Sequence, residues 1–172
     1  MSHYYNIPAA IGALLCAQAA YALDLRGIEV GAVTTPAALQ SALGLKNCKP
    51  TGYCNDYAQF PHAVEHSSMT TVHLDNWRVV EIAVAFNAYW FEDFNKALRE
   101  KLGAPNVLLN PVVQNGYGAQ FTNTQEEWTD AQGNRTSLIR YATSDNNSML
   151  VMESPDEVAR AKAQLEANKP KL

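Results

Sequence analysis

The chain contains one helix-ending phrase twice. Residues 38–44 read ALQSALG and residues 97–103 read ALREKLG, so the pattern A-L-x-x-x-L-G recurs within a chain of 172 residues. The first copy follows Thr35, a good N-cap, and Pro36, which suits the first helical position. The glycine that closes each copy suits the residue just after a helix. The phrase therefore predicts two short amphipathic helices, and the fold has to accommodate both.

Segments rich in β-branched residues follow both helices. After the first, residues 69–74 (MTTVHL) and 77–86 (WRVVEIAVAF) flank Asp75 and Asn76, two residues typical of a hairpin turn. In the second of these segments apolar residues occupy both alternating faces, which predicts a central, covered strand. After the second helix, turns rich in Asn, Gly and Asp separate four more predicted strands, at about 107–113, 119–129, 135–142 and 149–153.

A helix followed by antiparallel strands, found twice, predicts an α+β fold in which an antiparallel sheet carries its helices on one face. The two tandem helix–sheet units would span residues 23–86 and 87–153. Ser154 and Glu157 then form a capping box that starts a C-terminal helix over residues 155–168. The pattern leaves open whether the two units arose by duplication or whether two ordinary helix endings coincide.

The first 22 residues contain no Lys, Arg, Asp or Glu and end in Ala20-Tyr21-Ala22, the small-x-small pattern of a signal-peptidase site. Their apolar stretch over residues 7–17 is shorter than the roughly 20 residues that a membrane anchor needs. We therefore predict a signal peptide at 1–22 and a single mature domain at 23–172. A buried N-terminal helix is the alternative.

The formal net charge of −4 argues against nucleic acid or an anionic membrane as a partner. No later stretch is apolar for long enough to predict an integral membrane segment in the mature chain. Cys48 and Cys54 lie in a loop that contains Pro and Gly, and we expect them to form a disulfide because the chain is predicted to be exported. Together these features predict a periplasmic or secreted protein.

Parts of the chain resemble small exported bacterial proteins. Residues 28–44, with a glycine-rich entry, a Thr N-cap and a short helix ending in L-G, look like the opening of the outer-membrane assembly lipoproteins. The tandem helix–sheet units are similar to the secreted β-lactamase inhibitor protein, and residues 91–153 are similar to small periplasmic proteins of bacteria. The chain departs from the lipoproteins in lacking a lipobox. The resemblance implies a protein that binds another protein of the cell envelope, and it carries over no catalytic residues.

Two histidines four residues apart, His62 and His66, are the candidates for a metal site. On a helix this spacing would place both imidazoles on one face, with His73 or Asp56 as a third ligand for Zn²⁺ or Cu²⁺. The metalloprotease order H-E-x-x-H is absent. Two solvated histidines on a polar loop or a sheet edge are the alternative interpretation.

Hydrolytic chemistry needs a nucleophile beside an oriented base. The sequence contains no G-x-S-x-G motif, and no cysteine of the mature chain stays free once the predicted disulfide has formed. A pair of glycosidase carboxylates could be drawn from Glu126, Glu127 and Asp130, but adjacent acids on a strand are more simply a solvated face. The sequence therefore predicts a protein that is not an enzyme and carries no cofactor.

Aromatic residues are dense where the predicted central strand meets the second helix. The segment 87–94 reads NAYWFEDF, and its Phe91 and Phe94 fit the core side of that helix. Tyr89 and Trp90 suit binding anchors, and Trp77, Tyr117 and Trp128 would add an exposed aromatic sheet face; both features mark partner sites. The candidate binding residues are Tyr89, Trp90, Tyr117 and Trp128.

From these features we predict an exported, non-enzymatic binding or inhibitor-like protein whose partner is another envelope or secreted protein. The alternative is a small metal- or ligand-binding periplasmic protein that uses His62 and His66. A continuous exposed patch on the sheet would favour the first function, and histidines that converge in a pocket would favour the second.

Overall fold

A computed structural model describes residues 24–60 and 64–168 of the chain. The predicted signal peptide therefore lies outside the described residues. Within them, a 3₁₀ turn (Ala88–Trp90) leads into the second of three helices. The helices are α1 (Pro36–Leu43), α2 (Phe91–Leu102) and α3 (Pro155–Ala167). The strands are β1 (Asp24–Leu25), β2 (Ile28–Glu29), β3 (Gly52–Phe60), β4 (Val64–Asp75), β5 (Arg78–Asn87), β6 (Val107–Leu109), β7 (Val112–Gln114), β8 (Gln120–Thr122), β9 (Gln125–Thr129), β10 (Arg135–Ser144) and β11 (Asn147–Glu153).

Seven strands form one antiparallel sheet in the order β3-β4-β5-β11-β10-β9-β6. Two small hairpins, β1-β2 and β7-β8, lie outside it. The order places β5 and β11 side by side in the centre, with Ala83 opposite Val151. These two strands end the units predicted at 23–86 and 87–153, so each unit is a helix followed by strands that lead to the centre of the sheet. The α+β class is confirmed, and a common origin of the two units stays a prediction.

The hydrophobic core lies on one face of this sheet. Along β5 the buried Ile82, Val84 and Phe86 alternate with half-buried residues, as the two-residue period of a strand requires. The Phe94 ring of α2 stacks on Phe86 with centroids 4.0 Å apart, so α2 covers this face. The helices add to the same buried cluster Leu39 and Leu43 from α1 and Phe91 and Leu98 from α2.

The predicted helix ends are confirmed. The Thr35 hydroxyl accepts a hydrogen bond from the Ala38 amide at 3.1 Å, and Gly44 adopts a left-handed conformation with φ 72°. Only glycine takes this conformation without steric cost, which is why α1 stops there. At α2, Gly103 ends the helix with φ 81°. At α3 only half of the predicted capping box forms: the Ser154 side chain accepts from the Glu157 amide at 3.3 Å, whereas the Ser154 amide donates to the Val80 carbonyl instead of the Glu157 side chain.

The hairpin between β4 and β5 turns one residue later than the sequence indicates. Asp75 pairs with Arg78, so the two turn residues are Asn76 and Trp77, with φ 48° and 62°. Two consecutive residues with positive φ match the twist of the flanking strands, which favours this turn. A tryptophan at positive φ is uncommon, and its backbone is fixed on both sides: its amide donates to the Pro50 carbonyl and its carbonyl accepts from the Thr34 amide, each at 2.8 Å.

The meander after α2 is more broken than predicted. The strand expected at 107–113 divides at Asn110 and Pro111, and the one expected at 119–129 divides at Asn123. Proline has no N–H for a ladder, which explains the first break. At the second, the buried Asn123 side chain bonds both backbone groups of Tyr141, donating to its carbonyl at 3.1 Å and accepting from its amide at 2.9 Å. The Asn123 side chain therefore takes the place of the backbone hydrogen bonds that would continue the strand.

The predicted disulfide is confirmed: Cys48 and Cys54 are bonded. Cys54 lies in β3, so the bond ties the preceding loop to the first strand of the sheet. No helix among the described residues is long and apolar enough to cross a membrane.

Replacing both cysteines by serine is expected to lower the free energy of unfolding by about 2 kcal/mol, because the bond closes only a short loop. Urea unfolding followed by circular dichroism measures this. The wild-type chain in excess reductant should lose the same amount. An unchanged midpoint in both experiments would show that the disulfide does not constrain the unfolded chain.

The third helix departs from the expectation that all helices share one face. His73 points away from the core, because its neighbours Val72 and Leu74 are the buried ones. Its Nδ1 atom lies 3.6 Å from a carboxylate oxygen of Glu157, in the first turn of α3. Therefore α3 contacts the sheet face opposite to the one that α2 covers.

Candidate binding surface

The sheet face opposite α2, called here the open face, is organised in rows that run across the strands. Strand register places Met69 opposite Ala85, Ala85 opposite Met149, and Met149 opposite Ile139. The same row continues through Gln125 to Leu109. Met69 is 41% exposed and Leu109 52%, and those between are partly exposed. The apolar row is thus Met69, Ala85, Met149, Ile139 and Leu109, interrupted only by Gln125.

A second row lies two residues along each strand, about 7 Å away. Its members are small or mixed in polarity: Thr71, Ala83, Val151, Ser137, Glu127 and Val107. A shallow depression of about 240 Å³ opens over the part of the face formed by β9, β10 and β11, with Ile139, Val151 and Ser137 in its lining. The small side chains of this row make the face concave beside the apolar row.

A third row is charged, and α3 lies over it. It contains His73, Glu81, Glu153 and Arg135, which follow one another by strand register. Arg135 donates two hydrogen bonds to Glu153, at 2.9 and 2.7 Å. Glu157 of α3, 5% exposed, lies above this row beside His73. The open face is therefore apolar along its first row and charged along its third row, which α3 covers.

The carboxyl groups of the charged row differ in pKa. Burial raises the pKa of Glu81, and the negative charges of Glu153 and Glu157 raise it further. For Glu157, hydrogen bonds from Arg160 lower the pKa despite burial, and the charges of Arg160 and His73 add to this. Glu157 therefore holds α3 as a carboxylate, whereas the ionised form of Glu81 opposes folding.

Replacing Glu81 by glutamine is expected to raise the melting temperature at pH 7. A carboxyl whose pKa is raised on folding favours the native state only when protonated, so its contribution is lost as the pH rises through that pKa. The advantage of Glu81→Gln should therefore disappear in acid, below the ordinary glutamate pKa. Differential scanning calorimetry between pH 4 and 7 measures this, with the exposed Glu100→Gln as the control. A variant less stable than wild type at pH 7 would contradict the assignment.

Two of the predicted binding residues are exposed at the end of the sheet that carries the apolar row. Tyr89 is 79% exposed and Tyr117 99%. The turn between β10 and β11 lies between their segments: the Ala88 amide donates to the Asn146 carbonyl at 2.8 Å, and the Asn115 side chain donates to Asp145 at 3.2 Å. Trp90 is half-buried, and its ring meets Tyr89 edge-on with centroids 5.0 Å apart.

A cleft of about 440 Å³ separates the β7-β8 hairpin from the end of β10. Its lining is partly aromatic, and the Phe121 and Tyr141 rings meet edge-on at 5.7 Å. Asn115 and Asp145 also line the cleft, and their side chains are hydrogen-bonded to each other. The cleft adjoins the apolar end of the open face and extends that surface onto the hairpin.

The fourth predicted binding residue, Trp128, is not on the surface. It is 5% exposed, and its indole N–H donates to the Gly103 carbonyl at 3.0 Å, just past the end of α2. Trp77 is half-buried in the hairpin turn against the core. The prediction of an aromatic sheet face that includes these tryptophans is wrong, because both lie on the side of the core.

The carboxylates considered for glycoside hydrolysis do not converge. Glu126 is 1% exposed on the core face, where Arg99 donates to it at 2.9 and 2.7 Å and Asn95 at 3.0 Å. Glu127 is the next residue of the same strand and belongs to the open face, and Asp130 lies in the following turn. Adjacent residues of a strand point to opposite faces, so Glu126 and Glu127 cannot flank one bond, and Asp130 accepts hydrogen bonds from the Gln132 and Asn134 amides of its own turn.

The histidine pair is only partly covered by the described residues. His62 lies outside them, and His66 belongs to strand β4 rather than to a helix. His73, considered as a third ligand, stacks on Tyr53 with ring centroids 4.3 Å apart and faces Glu157. Among residues 24–60 and 64–168, no group of three His, Cys, Asp or Glu side chains is arranged to hold a metal ion.

The sequence interpretation missed the apolar row itself. Its members are Met, Ala, Ile and Leu, which carry no signal of binding in isolation. The usable signal was the double-sided apolar pattern of 79–86, which indicates a strand with two apolar faces. Only the strand register shows that Ala85, Met149 and Ile139 lie side by side on the open face of the sheet.

No protein-family model, no curated protein and no solved structure matches this chain. The resemblance to exported tandem helix–sheet proteins therefore stays a prediction from the sequence.

Proposed function

We propose that the chain is an exported binding protein that engages another envelope or secreted protein through the apolar row of its open face. The observation that carries this proposal is that the row crosses six strands and no helix within the described residues lies over it. Contiguous apolar surface left accessible on a folded protein is typical of a partner site.

The composition of the row fits a protein partner. Methionine side chains such as Met69 and Met149 are flexible and polarisable, and adapt to irregular partner surfaces. The side chains of Ala83 and Ala85 on β5 are small and partly exposed, which leaves room for larger side chains of a partner. The exposed Tyr89 and Tyr117 at the same end of the sheet add rigid amphipathic anchors at its border.

The disulfide supports the proposed location. Bonds of this kind persist where thiols oxidise, as in the periplasm or outside the cell. A test of export is the mass of the chain recovered from the periplasmic or secreted fraction. The expected form begins at Leu23 and contains an oxidised Cys48–Cys54 pair. Recovery of a chain that retains residues 1–22 only in the cytoplasm would contradict export.

Site-specific photo-crosslinking in the exporting cell tests the binding surface. A photoreactive amino acid at Met149 or Ala85 should give a discrete crosslinked species. The matched control is Lys96, whose side chain is 77% exposed on the outer side of α2. Equal crosslinking at Lys96 and Met149, or no crosslink at either open-face position, would refute the assignment of the site.

A further inference from the structure

The first strand of the sheet, β3, has a free long edge. It spans Gly52–Phe60 and has only β4 as a neighbour within the described residues. Alternate N–H and C=O groups along its outer side are therefore available for a further strand. The other edge is much shorter, because β6 has only three residues. No proline interrupts β3.

Helix α3 crosses the sheet towards this free edge. It begins beside β5, where the Ser154 amide donates to the Val80 carbonyl at 2.9 Å. Glu157 then meets His73 on β4, and Tyr53 on β3, which stacks on His73, lies close enough to Arg160 to raise the pKa of its guanidinium. Three residues of helix rise about 4.5 Å, close to the spacing of about 4.8 Å between strands. Every three residues therefore carry α3 across about one more strand.

The last turns of α3 extend beyond the sheet. Residues 162–168 are all exposed, and Leu165 is 66% exposed. Val158 and Ala161, which are half-buried, lie seven and four residues before Leu165 and so share its side of the helix. The apolar side of α3 thus continues past β3, over the position that a strand added to β3 would occupy.

We propose that this position is filled by β3 of a second copy of the chain, which pairs antiparallel and forms a continuous sheet through both copies. Each copy has one free strand edge and one helix that extends past it. In a two-fold dimer both copies use the same surface, so the two β3 edges pair with each other and each α3 covers the β3 strand of the other copy. Leu165 of each copy then packs over the added strand.

Side-chain direction limits the register. Residues directly opposite each other in an antiparallel pair share a sheet face, so the two-fold axis must pass beside a residue of β3 that lies opposite the same residue of the second copy. An axis at Asn55 meets this condition, and it sets Asp56 of each copy opposite Cys54 of the other.

Sedimentation velocity of the mature chain over a range of concentrations tests this inference. Wild type is expected to dimerise. Leu165→Glu should raise the dimer dissociation constant by about tenfold or more, because it places a charge in the interface. Ala163→Glu on the far side of α3 is the matched control and should leave the constant unchanged. A wild-type chain that stays monomeric, or a dimer equally tolerant of both variants, would overturn the proposal.

Hydrogen exchange then locates the interface. At a concentration where wild type is dimeric, amides of residues 52–56 should exchange more slowly than in Leu165→Glu at the same concentration. Amides of β6 at the opposite edge should exchange equally in both. A dimer in which residues 52–56 are not slowed forms elsewhere and refutes strand pairing at β3.

Discussion

Replacing Phe91 by alanine is expected to lower the free energy of unfolding by about 3–5 kcal/mol, the cost typical of removing a buried phenylalanine ring. Phe91 is 1% exposed in the first turn of α2, and the Arg140 guanidinium lies 5.2 Å from its ring centroid. The ring therefore joins α2 to the core face of the sheet. Urea unfolding followed by intrinsic fluorescence and by circular dichroism measures the loss.

The matched control is Tyr89→Ala, two residues earlier in the same junction. Tyr89 is 79% exposed, so its removal should change stability by less than about 0.5 kcal/mol. Equal losses in both variants would mean that α2 begins differently from the arrangement described here. A loss confined to Phe91→Ala confirms which aromatic residues belong to the core and which remain available to a partner.

The second large effect is expected at Glu126, a carboxylate buried between α2 and the core face. Arg99→Met would leave this charge without its main partner and should cost about 3 kcal/mol. The double variant Arg99→Met/Glu126→Leu removes the charge as well and should recover most of that loss. Thermal and urea unfolding of the two single variants and the double variant give the coupling energy directly.

The exposed pair Lys96 and Glu100 provides the comparison on the same helix. Its charged atoms are 4.0 Å apart and both side chains are largely exposed, so Lys96→Met should cost less than about 0.5 kcal/mol. If Arg99→Met is as mild as Lys96→Met, water reaches Glu126 and the carboxylate does not depend on the ion pair.

Local signals in the sequence were sufficient to place the helices. Thr35 and Gly44 delimit α1, and the Ser154 N-cap starts α3, because caps act through atoms within a few residues. The strands were located less well, since their breaks depend on distant partners. Asn123 interrupts a strand by bonding the backbone of Tyr141, and no local pattern predicts that contact.

The side of the sheet that α3 covers could not be predicted from hydrophobicity. Only Glu157 is buried in this helix, and its carboxylate contacts His73 on β4 and Arg160 in the next turn rather than apolar side chains. Such polar contacts between distant segments leave no periodic pattern. Burial of Trp128 also depends on a distant segment, because its indole N–H donates to the Gly103 carbonyl just past the end of α2.

Of the four candidate binding residues, the two tyrosines are exposed beside the apolar row. Both are 79% exposed or more, as a binding residue has to be, and their role as anchors stays a prediction. Trp90 supports Tyr89 from a half-buried position. The row that they border became visible only through strand register, which depends on the whole fold.

The most direct test of the open face as the binding surface is the affinity of the partner captured by crosslinking at Met149, measured by titration calorimetry. Ile139→Glu, at the centre of the apolar row, should weaken binding by about tenfold or more. Lys96→Glu on the outer side of α2 should leave the dissociation constant unchanged. Circular dichroism melts check that both variants are folded. Unchanged affinity in a folded Ile139→Glu chain would contradict binding through the open face.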